Sequence, residues 1–135
     1  MNVEYSTEDN LHEQEVVALY KVNKWSSAEK PQALMAALAN SHSVVTARVG
    51  GKLVGLGNAI SDGHLVVYYP HLLVDPEFQR QGIGKEMMKY LQKRYTHFHQ
   101  QMLTADVDAV AFYQSIGFSK AGKTSAMWIY QGDEH

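Results

Sequence analysis

The stretch Leu72-Leu73-Val74-Asp75-Pro76-Glu77-Phe78-Gln79-Arg80-Gln81-Gly82-Ile83-Gly84-Lys85 decides how this chain is read. Its apolar start reads as a buried strand, Asp75-Pro76 as a turn, and the glycine-rich part as a loop that opens a helix. The first amides of a helix have no partner within it and point outward, and the helix dipole adds positive potential at the same place. Such a loop is a seat for a phosphate or diphosphate. Gly82 and Gly84 have no side chain, so an anion can come close to the backbone. Arg80 and Lys85 place charge beside it. The stretch points to a phosphorylated cofactor.

The spacing narrows which cofactor. A nucleotide P-loop needs Gly-x-x-x-x-Gly-Lys-Ser/Thr, and no such run occurs. A dinucleotide fingerprint needs a third glycine three residues after Gly84, where Met87 stands. What is left is Gln79-x-x-Gly82-x-Gly84 after a strand ending Val74-Asp75-Pro76. A second motif follows about thirty residues later, Ala109-Val110-Ala111-Phe112-Tyr113-Gln114-Ser115-Ile116-Gly117-Phe118. Together, in this order, the two resemble the acetyl-CoA motif and the Ala-x-x-Phe-Tyr-x-x-x-Gly-Phe signature of the GNAT N-acetyltransferases, in their small single-domain bacterial form. The resemblance extends over most of the chain and is weaker before residue 44. It implies a mixed α/β (α+β) fold, with a mostly antiparallel sheet of six or seven strands, about four flanking helices and central strands that splay apart. It also implies acetyl-CoA as cofactor.

Composition agrees with one ordinary globular domain over residues 1–135: 45% of residues are apolar and 19% charged. A net charge of −2 gives no reason to expect nucleic acid or an anionic membrane as partner. There is no cysteine, which removes disulfides, thiolate zinc sites and a cysteine acyl-enzyme. The N-terminus lacks the basic and long apolar regions of a signal peptide, and no apolar run has membrane-spanning length. A cytoplasmic protein is the default reading.

Along the chain, residues 2–6 read as a strand, and Ser6 or Thr7 as the cap of a helix starting at Glu8 and Asp9. A second helix carries Pro31 in its first turn and buries Leu34, Met35 and Leu38. Residues 43–49 and 52–61 are strands joined by Gly50-Gly51, a hairpin turn in which both residues can take positive φ. Asp62-Gly63 is a further hairpin signal, followed by a long strand over 64–74 that Pro70 should break. Residues 82–95 form an amphipathic helix with Ile83, Met87, Leu91 and Tyr95 on one face. A parallel strand is expected over 99–104, a short helix over 108–116 ended by Gly117, and a closing hairpin from 118–121 and 126–130.

A thioester is already activated, so the protein has to place an amine near the acyl carbon, take its proton and stabilise the charges that develop. Positioning alone can supply roughly 7–11 kcal/mol at best. The break at Pro70 frees backbone at mid-strand, and the N–H of Leu72 or of Leu73 is a candidate oxyanion donor. By resemblance, the pantetheine arm pairs with this backbone, Leu72 to Val74, and the diphosphate sits on Gln79, Arg80, Gln81, Gly82, Ile83, Gly84 and Lys85. Ala109 and Phe112 join the cofactor side through the second motif. Tyr113 holds the family's tyrosine position and is the candidate general acid; a phenol near pKa 10 can protonate a departing thiolate near 8.5. His71 is the first candidate for general base, since imidazole titrates near neutrality; a water relayed by Asp62, His64 or Tyr68 is the other route. Many relatives carry an acidic residue in this region, so His71 departs from the pattern. Asp106 stands where the family often has asparagine. It can accept hydrogen bonds but not donate when ionised, and its own surroundings in sequence suit a cap for the helix near Asp108.

The acceptor is expected between the first two helices and the central strand, where Tyr20, Trp25, Tyr68 and Tyr69 would form aromatic walls suited to a small amine. The Trp25-Ser26 loop and the aromatic strand faintly resemble aralkylamine acetyltransferases. His97-x-His99 has no carboxylate or cysteine near it in sequence, and no metal is expected. The leading function is transfer of acetyl from acetyl-CoA to the primary amine of a small molecule. A protein N-terminal or lysine acetyltransferase is the alternative. A non-catalytic acyl-CoA sensor is the alternative of another class, and a nucleotide-binding module using Gly82 to Lys85 is a further one. The resemblance implies a homodimer, for which Met127, Trp128 and Ile129 of the closing hairpin offer an apolar surface.

Overall fold

A computed structural model describes residues 1–132; the last three residues of the expected single-domain span lie outside the described ones. Strand β1 (Val3–Ser6) is followed by helices α1 (Glu13–Val22) and α2 (Pro31–Ala39). Then come β2 (Ser43–Val49), β3 (Lys52–Ser61), β4 (Val66–Tyr68) and β5 (Leu72–Val74). Helix α3 (Ile83–Gln92), β6 (Gln100–Met102) and α4 (Val110–Ser115) complete the fold. The six strands lie in the order β1-β2-β3-β4-β6, with β5 also on β3. Only the β4–β6 pair is parallel.

Gly50 and Gly51 both have positive φ, as a tight β2–β3 turn requires. The expected long strand after Gly63 is two short ones. β4 pairs with β3 and, in parallel, with β6; β5 pairs with β3 alone. Pro70 lies between them and has no N–H to donate to a ladder. Beyond Tyr69, whose N–H reaches Met102 O at 2.9 Å, no described strand borders β5 on the β6 side. The central strands therefore splay.

Two cores face opposite sides of the sheet. Val45, Val54, Val67, Tyr69 and Tyr95 pack with Ile83, Met87, Met88 and Leu91 of α3. Val16, Leu19, Tyr20, Leu34, Leu38, Leu56 and Leu73 form the core under α1 and α2. Burying each large aliphatic side chain contributes about 1.5–3 kcal/mol.

Helix α1 starts five residues later than Glu8. Ser6 Oγ accepts from Glu8 N–H in a local turn, and the Asp9 carboxylate is drawn to Thr46 Oγ1 (2.7 Å) and Arg48 Nε (2.8 Å) on β2. The helix is opened instead by the Glu15 carboxylate, which accepts from His12 N–H. The closing hairpin is not formed. Thr124 N–H bonds Ala121 O at 3.2 Å to make the turn, but residues 118–121 and 126–130 pair with no strand among the described residues.

Candidate active site

The loop before α3 has the geometry the sequence implies. Arg80 (φ 63°) and Gly82 (φ 83°) both take left-handed backbone, Gly82 as the N-cap. A non-glycine residue held there costs of order 1 kcal/mol, a strain that clusters at ligand sites. The alternation turns successive amides toward one concavity at the positive end of α3. Nothing lies within 4 Å of where a Gly82 Cβ would be, so that space is open. Arg80, Gln81 and Lys85 are exposed beside it. Ile83 is buried in the α3 core, so only its backbone is available to a ligand. The Gln79 side chain donates to Val74 O at 2.9 Å and ties the loop to β5. At the start of the turn, buried Asp75 accepts from Glu77 N–H and pairs with Lys52 at 3.4 Å.

The β3–β5 ladder decides which amides face the crevice. Asp75 N–H bonds Val54 O, and Asn58 N–H bonds His71 O. Bonded pairs alternate in an antiparallel ladder, so Leu73, opposite Leu56, belongs to the bonded set. Leu72 and Val74 turn their amides to the other edge, the one left open by the splay. Of the two candidate oxyanion donors, Leu72 has the right orientation and Leu73 does not.

Helix α4 closes the other wall. A Gly84 Cβ would sit 3.5 Å from Phe112 and 3.9 Å from Val74, so β5, α3 and α4 converge at Gly84. Ala109 leads directly into α4. Tyr113 packs edge-on to Phe112 and Phe118, with ring centroids at 5.0 and 5.8 Å. Burial, and secondarily the Asp106 carboxylate, push its phenol up to about 12. Tyr113 thus keeps its proton through the neutral range. Asp106 occupies the N-cap of a short 3-10 turn (Val107–Ala109), where its carbonyl accepts from Ala109 N–H, but its side chain makes no capping bond there. The expected side-chain cap is absent; the carboxylate acts on Tyr113 instead.

On the opposite side of the sheet, Tyr20, Trp25 and His71 come together. Tyr20 Oη lies 2.7 Å from His71 Nδ1, and the His71 ring meets Tyr20 and Trp25 edge-on with centroids at 5.3 and 5.1 Å. Burial raises the Tyr20 pKa well above the ordinary phenol range, so its hydroxyl stays neutral. His71 reaches this side because the strand slips phase at Pro70. Val67 and Tyr69 face the α3 core, and strict alternation would send residue 71 there too; instead Leu72 and Val74 pack on that core and His71 on Tyr20. Tyr69 does not join the expected aromatic group. It is buried beside Tyr95 and Phe118 and bonds Gln101 Oε1 at 2.8 Å. Tyr68 alternates with Val67 and Tyr69, so it faces away from the α3 core, and it is exposed.

Sequence reading missed Asn58. Buried in β3, it bonds His71 twice: its N–H donates to His71 O, and its Oδ1 accepts from His71 N–H, both at 3.1 Å. Its Nδ2 donates to Ser41 Oγ at 3.0 Å. The side-chain oxygen takes the place of a backbone carbonyl where the strand is displaced. The available signal was a lone amide in an otherwise apolar strand. A separate cleft of about 630 Å³, lined by residues including Leu11, Met35, His42, Tyr90 and Arg94, contains none of the expected site residues.

Residues 5–127 match the acetyltransferase (GNAT) domain family. The chain belongs to the GNAT family. It is 33% identical over 98 residues to the peptidyl-lysine N-acetyltransferase YiaC of Escherichia coli, a match covering 73% of this chain. It spans 63% of the length of that relative. The GNAT family acetyltransferase SP0256 of Streptococcus pneumoniae shares the fold at a TM-score of 0.84, with 28% identity over 96% of this chain and 99% of the other. At 15% identity and a TM-score of 0.72, the aminoglycoside acetyltransferase AAC(6')-Iy, solved with a CoA-linked bisubstrate analogue, shows the same fold over 98% of this chain and 99% of its own. The mixed, open six-stranded sheet with its four helices is the GNAT fold. Among the described residues no group of three His, Cys, Asp or Glu is placed to hold a metal ion, and no helix is long and apolar enough to cross a membrane.

Proposed function

We propose that this GNAT protein transfers acetyl from acetyl-CoA directly to the primary amine of a small molecule, as an enzyme of the cell interior. The observation that supports this is the meeting of β5, α3 and α4 at Gly84, beside the outward amides before α3 and the open edge of β5; Tyr113, on α4, is read as the acid that completes it. The diphosphate sits on the amides of residues 81–85, with Arg80 and Lys85 beside it, and the pantetheine arm extends β5 as a strand would. The amine nitrogen attacks the thioester carbon and the carbonyl oxygen becomes an oxyanion on Leu72 N–H. The C–S bond breaks as Tyr113 gives its proton to the leaving sulfur. The proton lost by the amine goes to His71, which Tyr20 holds in place on the acceptor side. Asp106, as an acceptor, orders the turn before α4, with Ala109 and Phe112 as apolar wall.

Tyr20, Trp25 and Tyr68 shape the acceptor side, which suits a compact amine with an apolar or cationic part. The likeness to YiaC favours a second reading, a lysine of a peptide. A net charge of −2 supports neither nucleic acid nor an anionic membrane as partner. The working form is a homodimer. The test of function is thiol release from acetyl-CoA across aralkylamines, aminoglycosides and lysine peptides. Turnover with a small amine that is lost in Tyr113→Phe supports the proposal. Turnover with peptides alone selects the second reading, and CoA binding without any thiol release overturns both in favour of a sensor.

A further inference from the structure

The outer edge of β2 is covered by β1 for only part of its length. The pairing runs from Val3 opposite Val49 to Ser6 opposite Thr46, and there β1 ends. Glu8 N–H turns back on Ser6 Oγ, and the Asp9 carboxylate is held by Thr46 and Arg48. The chain thus leaves the line of the strand, while residues 43–45 continue β2 with no described strand on that side. In β3, Val54 and Asn58 spend their backbone groups toward β5, so Gly57 and Ala59 bond toward β2, opposite Val45 and Ser43. The N–H and C=O of Val44, between those two, therefore point outward.

The cleft of about 630 Å³ lies along this open edge, a size that takes a small ligand. On one side its wall is Leu11, Met35 and Val44, from the layer under α1 and α2. On the other it is Tyr90 and Leu91, from the layer under α3. Arg94 stands at the far end. Its Nη1 donates to His42 O at 2.7 Å and to Ser43 Oγ at 3.1 Å, which fixes the guanidinium. Its Nε and Nη2 bond no described residue, and that edge is the fork that matches a carboxylate. At the near end, Asp9 is spent on Arg48 and Thr46, and Glu8 forms no salt bridge among the described residues.

We propose that this edge binds the carboxyl end of a short apolar peptide. The peptide lies in the line of β1, antiparallel to β2, and exchanges backbone hydrogen bonds with Val44. That direction runs from Glu8 toward Arg94, so the carboxylate meets the open fork and the amino end meets Glu8. Successive side chains fall to opposite faces, on Leu11 and Met35 or on Tyr90 and Leu91. Three extended residues span about 10 Å, and the edge from Thr46 to His42 about 13 Å. A peptide is favoured over a plain apolar acid because Val44 offers a donor and an acceptor together. None of the residues assigned to the cofactor or the acceptor lines this cleft, and the inference does not depend on the catalytic assignment.

The probe is the tripeptide Ala-Leu-Leu with both ends free, titrated into the full chain by calorimetry. A Kd on the order of 100 μM is expected for a ligand of this size. The same peptide with a C-terminal amide should bind roughly tenfold or more weakly, and so should the free peptide to Arg94→Gln, whose fold is checked by circular dichroism. Octanoate keeps the carboxylate and the apolar chain but has no amide for Val44, and it too should bind roughly tenfold or more weakly. Amide NMR should place the largest shifts at residues 42–44 and 94. No saturable binding of the free peptide at millimolar concentration overturns the inference. So does equal affinity for the acid and its amide, equal affinity for octanoate, or shifts confined to Tyr20, Trp25 and Tyr68. Loss of CoA binding by the full chain would strike the catalytic reading and leave this one standing.

Discussion

The proposed cofactor side and the proposed acceptor side of this molecule are built by different means. The cofactor side is made largely of backbone from one continuous run: the β5 edge, a turn, and the amides before α3, with α4 closing over Gly84. The acceptor side is made of side chains from three separate stretches, Tyr20 and Trp25, Asn58, and His71, joined by a chain of hydrogen bonds from Tyr20 to Ser41. Backbone placed by glycines and a helix start tolerates changes in the surrounding side chains. A side-chain relay depends on each member, so loss of one leaves a neighbour without its partner. Single substitutions around the backbone-built side should therefore be felt less than single substitutions within the relay of Tyr20, His71 and Asn58.

The largest effect is expected from Tyr113→Phe, on the helix that walls the proposed cofactor crevice. It should lower kcat by roughly 10²–10⁴ and leave CoA affinity within about threefold, read by steady-state kinetics and calorimetry. Unchanged kcat would remove Tyr113 as the acid. Gly82→Val probes the cofactor side alone. A β-branched residue at φ 83° is strained, and its side chain would project into the open concavity. CoA affinity should fall roughly 10–100-fold, about 1.4–2.7 kcal/mol, with selectivity among amines unchanged.

Asn58 probes the acceptor side. Asn58→Leu removes the acceptor of His71 N–H and one bond to Ser41, which keeps its bond to Ala37 O, and should cost about 1–3 kcal/mol of stability in denaturant titration. It should also raise the amine KM and lower kcat while CoA affinity holds. Asn58→Asp keeps the acceptor for His71 and should recover most of the kcat. Equal damage to CoA affinity and amine KM would show that the two sides are not separable at this point.

Tyr113 also sets the expected pH response. Its folded pKa is raised to about 12, by burial first and the Asp106 charge second, so the acid form persists well above neutrality. kcat/KM should rise with pH as base and amine lose protons, and show no fall attributable to Tyr113 below about pH 11. Asp106→Asn removes the smaller cause, lowers the phenol's pKa, and should change kcat only a few-fold, the smallest effect of the set. A large loss in that variant would give Asp106 a direct part in the reaction.

These differences also explain what was legible in the sequence. Gly50-Gly51, Gly82 and Gly84, and Pro70 each constrain the backbone where they stand, so the hairpin, the loop before α3 and the break in the central strand could be read residue by residue. Tyr113 followed from its motif. The start of α1 could not be read, because Asp9 answers to Thr46 and Arg48 on a distant strand. The separation of Tyr69 from Tyr20 and Trp25 was hidden for a related reason: Pro70 announces a break, but not that the phase slips by one residue and turns His71 toward α1. Asn58 was illegible because its partners, His71 and Ser41, lie on other elements. The C-terminal strand pattern was visible, yet among the described residues it pairs with no edge, because a pattern of apolar side chains does not by itself supply a partner strand.

The central claim is that the loop before α3 holds a diphosphate and thereby sets a thioester sulfur beside Tyr113. A crystal structure with CoA tests it most directly. The expected result is a diphosphate on the amides of residues 81–85 and a sulfur about 3–3.5 Å from Tyr113 Oη. A diphosphate bound elsewhere, or a sulfur on the far side of β5 from α4, would contradict it.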